Sequence, residues 1–310
     1  MSDRPEGVLL MAYGSPPSMD EVAAYYTHIR RGRPPTEEQL ADLIRRYDAI
    51  GGASPLWDRT RAQAAGVQAV LDAVRPGGYL VALGCKHAPP FIEDGVAELA
   101  RAGVERAAAV VLAPHYSALS VGEYQERAVE AATAAGMAMS GVDSWHLAPG
   151  LIEALSERLA EAVEAAGRPR DDTEVLVTAH SLPARVLETG DPYPDQLRQT
   201  GEAVTEAAGV TRWRLAWQSA GRTPGPWLGP DVLEVIGQVA SEGAGAVVVC
   251  PAGFTSDHLE VLYDLDVDAR RVAEERGLAF ARTRSLNDDP RLCRVVAEAA
   301  VAALAGAGAR

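Results

Sequence analysis

Two stretches decide the fold: VLLMAYGSPP at residues 8–17 and EVLVTAHSLP at residues 174–183. Each runs from an unbroken apolar segment through a small residue and a Tyr or His into a proline-containing loop. An apolar run without polar alternation suits a strand covered on both faces, as in parallel sheets. Working outward, similar short apolar runs recur at Tyr79 to Gly84, Ala107 to Ala113, Ala138 to Val142, Arg214 to Trp217, Ala246 to Cys250 and Ala279 to Arg282. With Gly7 to Ala12 and Glu174 to Thr178 they make eight expected strands in two sets of four. Amphipathic Ala-, Leu- and Glu-rich segments lie between them, including 18–31, 37–50, 58–74, 122–135, 150–166, 194–208, 230–241, 257–276 and 290–304. Strands joined through helices give parallel sheets with right-handed crossovers, so the expected class is α/β.

The fourth strand ends near Val142, and SWHLAPG at 144–150 leads into a fresh helix before the rhythm restarts. That places one domain at 1–147 and a second at 148–310, with the last helix a candidate to pack back on the first domain. The likeness of the two opening stretches is a weak sign of internal duplication. A length of 310 residues is enough for two cores without disulfide or metal staples. With 29 Lys and Arg against 43 Asp and Glu, the formal charge of −14 argues against holding nucleic acid or anionic membrane by bulk electrostatics. No apolar run approaches the ~20 residues of a membrane span, and the opening MSDRPEGVLLMAYG lacks a signal-peptide pattern. Cys85, Cys250 and Cys293 are scattered and odd in number, which points to a reducing, cytoplasmic setting and provides no four-thiolate site.

In open parallel sheets, ligands bind beyond the carboxyl ends of the strands. After the first strand comes Tyr13, after the second Lys86 and His87, after the third His115, after the fourth His146, after the fifth His180, after the sixth Gln218 and Ser219, and after the seventh His258 and Glu260. Five of the six histidines therefore stand at strand exits, which favours a functional rim. Dinucleotide, P-loop and HExxH patterns are absent, and WQSAG at 217–221 lacks the first glycine of a nucleophile elbow. In SDHLEVLYDLDVDAR, residues 256–270, Glu260, Asp264 and Asp268 fall at i, i+4 and i+8 on one helical face. Their mutual repulsion can be relieved by a bound cation, and oxygen ligands beside an imidazole suit a divalent metal. Between residues 25 and 54, Arg30, Arg31, Arg33, Arg45 and Arg46 interleave with Tyr25, Tyr26 and Tyr47. Arg forks recognise carboxylates or phosphates, so the ligand expected there is flat, apolar and multiply acidic.

Taken together, LLMAYGSP, YYTHIRRGRPP, RYDAIGGASPL, HAPPFIEDGV, LAPHYSALSVGEY, TAHSLP, GDPYPDQL, AWQSAGRTPGPWLGPD and GFTSDHLEVLYDLDVDAR closely resemble the ferrochelatase family, in particular its coproporphyrin branch from Gram-positive-type and actinobacterial organisms. The resemblance spans nearly the whole chain in the family's order. It implies two similar chelatase-like domains of flavodoxin or Rossmann type, each a four-stranded parallel sheet flanked by helices, with a porphyrin cleft between them. It also implies a lyase that inserts Fe²⁺, its substrate, into coproporphyrin III to give coproheme for haem b, with no organic cofactor. By matching motifs, His180 and Glu260 become the catalytic and metal-insertion pair, and Tyr13 the axial ligand to product iron. Arg30, Arg46, Tyr47, Ser54 and Tyr124 join Tyr13 as porphyrin contacts. Asp264 and Asp268 match an acidic row that leads metal inward or holds a second cation such as Mg²⁺; the family often has Glu where Asp268 stands, which shortens its reach. Some relatives carry a [2Fe-2S] cluster on four cysteines, and three cysteines predict none here. A monomer, with transient contact to a downstream coproheme decarboxylase, is the expected state.

Metallation removes two pyrrole protons, and bending the macrocycle exposes its nitrogen lone pairs. His180, with a reference pKa of about 6.5, is expected to be mostly neutral at pH 7 and able to accept a proton or ligate iron, with Glu260 sharing either task. Competing readings are a protoporphyrin ferrochelatase, a related tetrapyrrole chelatase such as a cobalt-inserting enzyme, and a non-catalytic haem or coproheme carrier.

Overall fold

The computed structural model describes residues 4–221 and 224–307. Its eight strands are β1 (Glu6–Ala12), β2 (Tyr79–Cys85), β3 (Arg106–Val111), β4 (Ala138–Val142), β5 (Thr173–His180), β6 (Trp213–Gln218), β7 (Ala246–Cys250) and β8 (Ala279–Arg282). Every expected strand is present, within a residue or two at its ends. They form two four-stranded parallel sheets, ordered β2-β1-β3-β4 and β6-β5-β7-β8. The repeated order puts β1 and β5, the two stretches that open the reading, in equivalent inner positions. Val8, Leu9, Leu10 and Met11 are fully buried, as are Val175, Leu176 and Val177, which explains their unalternated hydrophobicity.

Among the described residues the chain divides into two units. The first holds the chain up to Pro114, Ser120–Trp145 and everything from Asn287 onward; the second holds His115–Leu119 and His146–Leu286. In the first unit, the helix Pro290–Ala307 packs on the helix Leu56–Val74 and on β3. A Cβ placed on Gly66 would stand 2.5 Å from Cys293 Sγ, so this helix pair needs glycine there to approach so closely. In the second unit, Leu176, Val247 and Val249 of the sheet pack with Val235, Ile236, Val261 and Leu265 in one apolar core.

Departures from the expected helices include a short extra one at Arg185–Glu188 and two longer segments. Ile92–Arg101 is an additional helix directly after HAPPF, closed at its start by the Asp94 carboxylate accepting from the Phe91 amide at 2.8 Å. The stretch expected as one α-helix over 257–276 is three pieces: Leu259–Tyr263, a π-helical Asp264–Ala269, and Arg270–Glu275.

The excursion His115–Leu119 is tied down by one carboxylate. Asp191 accepts from the Ser117 hydroxyl at 2.9 Å, the Ala118 amide at 2.8 Å and the Tyr193 amide at 3.0 Å. His115 is 2% exposed, bonds Thr200 Oγ1 through Nε2 at 2.9 Å, and has its pKa lowered to about 3 by burial and by His146. Because the folded value lies below the unfolded 6.5, this group's contribution to stability is present above pH 6.5 and is lost as pH falls toward 3. The loss amounts to about 1.4 kcal/mol per pH unit. Urea unfolding at pH 6.5 and 5.5 should therefore show wild type losing about 1 kcal/mol more than His115→Gln, because the unfolded imidazole is only half-protonated at pH 6.5; equal losses would refute the assignment.

Candidate active site

The clearest polar constellation belongs to the second unit and grows from β5. His180 is the last residue of that strand, and the Tyr193 hydroxyl donates to its backbone carbonyl at 3.0 Å. The loop after β7 must come close to β5 to present its own groups. Gly253 permits this, since its amide donates to the Thr178 carbonyl at 3.0 Å and a Cβ would stand 2.5 Å from Ala179 Cβ. Buried Gln218 links the two sides: it accepts from Thr178 Oγ1 at 2.8 Å and donates to the Glu260 carbonyl at 3.5 Å. The outcome is a contact of 3.1 Å between His180 Nδ1 and Glu260 Oε2, two side chains 80 residues apart in sequence.

Both side chains stay about a third exposed, at 35% and 36%. With Nδ1–H donating to the carboxylate, Nε2 is the His180 nitrogen left for a metal or a proton, the arrangement of a ligating histidine oriented by an acid. His258 faces the same oxygen, its Nε2 3.7 Å from Glu260 Oε2, and its Nδ1–H donates to the Ser256 carbonyl at 2.9 Å. Burial alone would lower the His180 pKa, but the charge and hydrogen bond of Glu260, with Asp264 behind, raise it above its ordinary value. Burial correspondingly pushes Glu260 up, and the two imidazoles overcome it to hold the carboxyl well below the usual range. The expectation for His180 rests on its reference value; beside Glu260, in hydrogen-bonding contact, the ring holds its proton more firmly than that value implies.

The acidic row is partnered. Asp264 accepts from the Ser219 hydroxyl, and Ser219 adopts a left-handed φ of 61° directly after β6. Asp268 lies 3.8 Å from Arg271. The i→i+5 bonding of the π-helix widens the turn, so residues four apart fall more nearly in line than in an α-helix, and such segments often mark functional sites. Among the described residues, no three His, Cys, Asp or Glu side chains converge on one cation position.

Arg282 was not among the residues singled out from the sequence. It forms a two-pronged bond to Asp266 of the π-helix, Nε to Oδ1 and Nη2 to Oδ2, both at 2.8 Å. Its Nη2 also lies 3.7 Å from Asp257, which accepts from Ser285 Oγ at 2.7 Å. One guanidinium, 12% exposed, thereby ties down both the loop that leads to Glu260 and the helix that follows it. Its sequence signal is its place as the last residue of β8, a strand exit like those that carry the other rim groups.

The remaining sequence-predicted residues lie in the first unit. Tyr13 is 43% exposed, its ring centroid 4.6 Å from that of His87. Arg30 donates to the Arg33 carbonyl at 3.2 Å and lies over the Tyr26 ring, and Arg46 Nε stands 3.2 Å from Asp42. Tyr47, Ser54 and Tyr124 are buried. Ser54 Oγ accepts from the Leu56 amide at 3.3 Å, starting the helix Leu56–Val74. Lys86 Nζ lies 5.0 Å from the Tyr124 ring centre, and burial drives that phenol's pKa well above its ordinary value. The three thiols are buried, with pKa values raised to about 12 for Cys85 and Cys250 and about 11 for Cys293.

The sequence model of the ferrochelatase family matches residues 5–304. The chain belongs to the ferrochelatase family. Among its relatives, the coproporphyrin III ferrochelatase of Anoxybacillus flavithermus is 44% identical over 301 residues, covering 96% of each chain. That of Bacillus subtilis is 42% identical over 296 residues, covering 94% of this chain and 95% of the relative. A ferrochelatase of Herpetosiphon aurantiacus is 42% identical, covering 91% and 94% respectively. The solved structure of SirB from Bacillus subtilis with Fe³⁺ matches at a TM-score of 0.60 and 12% identity, covering 99% of this chain and 98% of that one; at such identity the likeness concerns the fold alone.

Two expectations follow for this family member. NMR titration of the metal-free protein should give His180 an apparent pKa above 6.5, falling in Glu260→Gln as the carboxylate charge is removed; an unchanged value would break the coupling. Arg282→Met should cost the fold about 1–2 kcal/mol in urea unfolding, since it leaves Asp266, 31% exposed, without its two-pronged partner.

Proposed function

We propose that this ferrochelatase family member inserts ferrous iron into coproporphyrin III and releases coproheme. The observation that carries the proposal is the 3.1 Å contact of His180 with Glu260 at the end of β5. The reaction balances as Fe²⁺ plus the free-base porphyrin giving the iron porphyrin and two protons, so the site must accept protons and hold a divalent cation. His180 Nε2 meets either need, while Glu260 fixes the ring and compensates the imidazolium charge. The raised His180 pKa makes it a stronger base, but a pyrrole proton can be accepted only by the fraction of His180 that has first released its own. His258 brings a second imidazole nitrogen to 3.7 Å from the same carboxylate oxygen.

Tyr13 is assigned as the axial ligand to product iron, and Arg30 and Arg46 as partners for the porphyrin carboxylates. Tyr47, Ser54 and Tyr124 shape the surrounding surface. Asp264 and Asp268 are assigned to attract the incoming cation; with no convergence of three donors at the row, no step is routed through a second ion. The names of the relatives support coproporphyrin over protoporphyrin as substrate. No helix among the described residues is long and apolar enough to cross a membrane. A cytoplasmic monomer, lacking an iron-sulfur cluster and handing its product to a decarboxylase, completes the reading.

The test is anaerobic metallation with Fe²⁺, following loss of the free-base spectrum with coproporphyrin III and with protoporphyrin IX. Coproporphyrin should turn over faster, and His180→Ala and Glu260→Gln should each slow insertion by at least about 100-fold while retaining the fold. Faster turnover of protoporphyrin would move the substrate assignment, and no turnover of either porphyrin would leave a carrier.

A further inference from the structure

A second pair of imidazoles lies in the first unit, outside the proposed insertion pair. His28, in the last turn of the helix Val22–Ile29, and His87, just after β2, bring their Nδ1 atoms to 3.2 Å. We propose that these two nitrogens form a binding site for a borderline divalent cation of the Zn²⁺ class.

The separation is the first support. Zinc–imidazole bonds are about 2.0–2.1 Å long. A metal bonded to two nitrogens 3.2 Å apart then subtends an angle of 2·arcsin(1.6/2.05), about 103°, close to tetrahedral. The rings are also held in place. His28 stacks on Phe91 with centroids 5.3 Å apart and planes 28° apart, and His87 packs against Tyr13. Imidazole suits Zn²⁺, Co²⁺, Ni²⁺ and Cu²⁺, so the residue type selects this class over Mg²⁺ or Ca²⁺.

The charge around the pair is the second support. Lys86 and Arg127 lie near the His87 ring. Those two cations do not leave the neighbourhood strongly positive, because Lys86 pairs with Glu123 and Arg127 pairs with Glu93 at 2.8 Å. In the neutral hydrogen-bonded pair, one Nδ1 carries the shared proton. Metal binding requires that proton to move to Nε2 of the same ring, with no net loss to solvent. His28 is exposed, so a cation reaches the pair from water, and water completes the coordination.

The test uses porphyrin-free, metal-free protein carrying His180→Ala and Glu260→Gln, which separates this site from the proposed insertion pair. Zinc chloride is added at pH 8 while the imidazole ¹⁵N resonances are followed. The Nδ1 signals of His28 and His87 should shift together and saturate at one equivalent. Adding His28→Ala should weaken Zn²⁺ at this site by at least about tenfold, and His87→Asn should do the same, with circular dichroism confirming the fold. No shift, a shift confined to one ring, or unchanged affinity in either variant would overturn the site. Because no porphyrin is present, the result is independent of whether the protein metallates coproporphyrin.

Discussion

The contact between His180 and Glu260 is the constraint on which the second unit is organised. Nothing local creates it. β5 must end at His180, the loop after β7 must reach the same level, and the helix beginning at Leu259 must turn the carboxylate back toward the sheet. Gly253 supplies the close approach, Gln218 spans strand and helix start, Tyr193 bonds the carbonyl of His180, and Arg282 holds Asp257 and Asp266 on either side of Glu260. These residues act on the pair through position rather than chemistry. Loss of any one leaves both functional groups present but free to drift from a separation that matters on the scale of tenths of an ångström.

The same side chain meets two different fates at three positions in this protein, and the neighbours decide each one. His115 is buried beside a hydroxyl and another imidazole, so desolvation goes unopposed and the ring stays neutral. His87 is partly buried among cations with the same result. For His180, desolvation is again the largest influence, but Glu260 at hydrogen-bonding distance and Asp264 behind it reverse the outcome. Burial alone therefore does not identify a working histidine. A carboxylate within reach does, because it both orients the ring and holds charge on it.

Much of this was legible from sequence because parallel sheets make simple demands. A strand covered on both faces needs unbroken apolar residues, and a rim site needs polar residues just beyond them, so VLLMAY and EVLVTAH reveal their role without alignment. What escaped notice is equally physical. Pro89 and Pro90 masked the start of Ile92–Arg101, since two prolines look like a loop when they in fact precede a helix. The π-helix was invisible because residues spaced by four share a face in either kind of helix, and hydropathy does not record the hydrogen-bond pattern. Arg282 only closes an expected strand in the sequence; its function depends on Asp266 and Asp257, which only the fold brings to it.

The excess negative charge also acquires a local meaning. Within Asp264–Ala269 three carboxylates follow at alternate positions, an arrangement that would repel itself if left bare. Each instead has a partner: the Ser219 hydroxyl donates to Asp264, Arg282 donates to Asp266, and Arg271 forms an ion pair with Asp268. Convergent carboxylates would bind a divalent cation firmly, and a firmly held ion would be slow to leave. Carboxylates that are spaced along a helix and individually partnered keep a negative field without offering a cage. Such a field raises the local concentration of a cation and lets it move on, which suits a metal that is consumed as a substrate rather than kept.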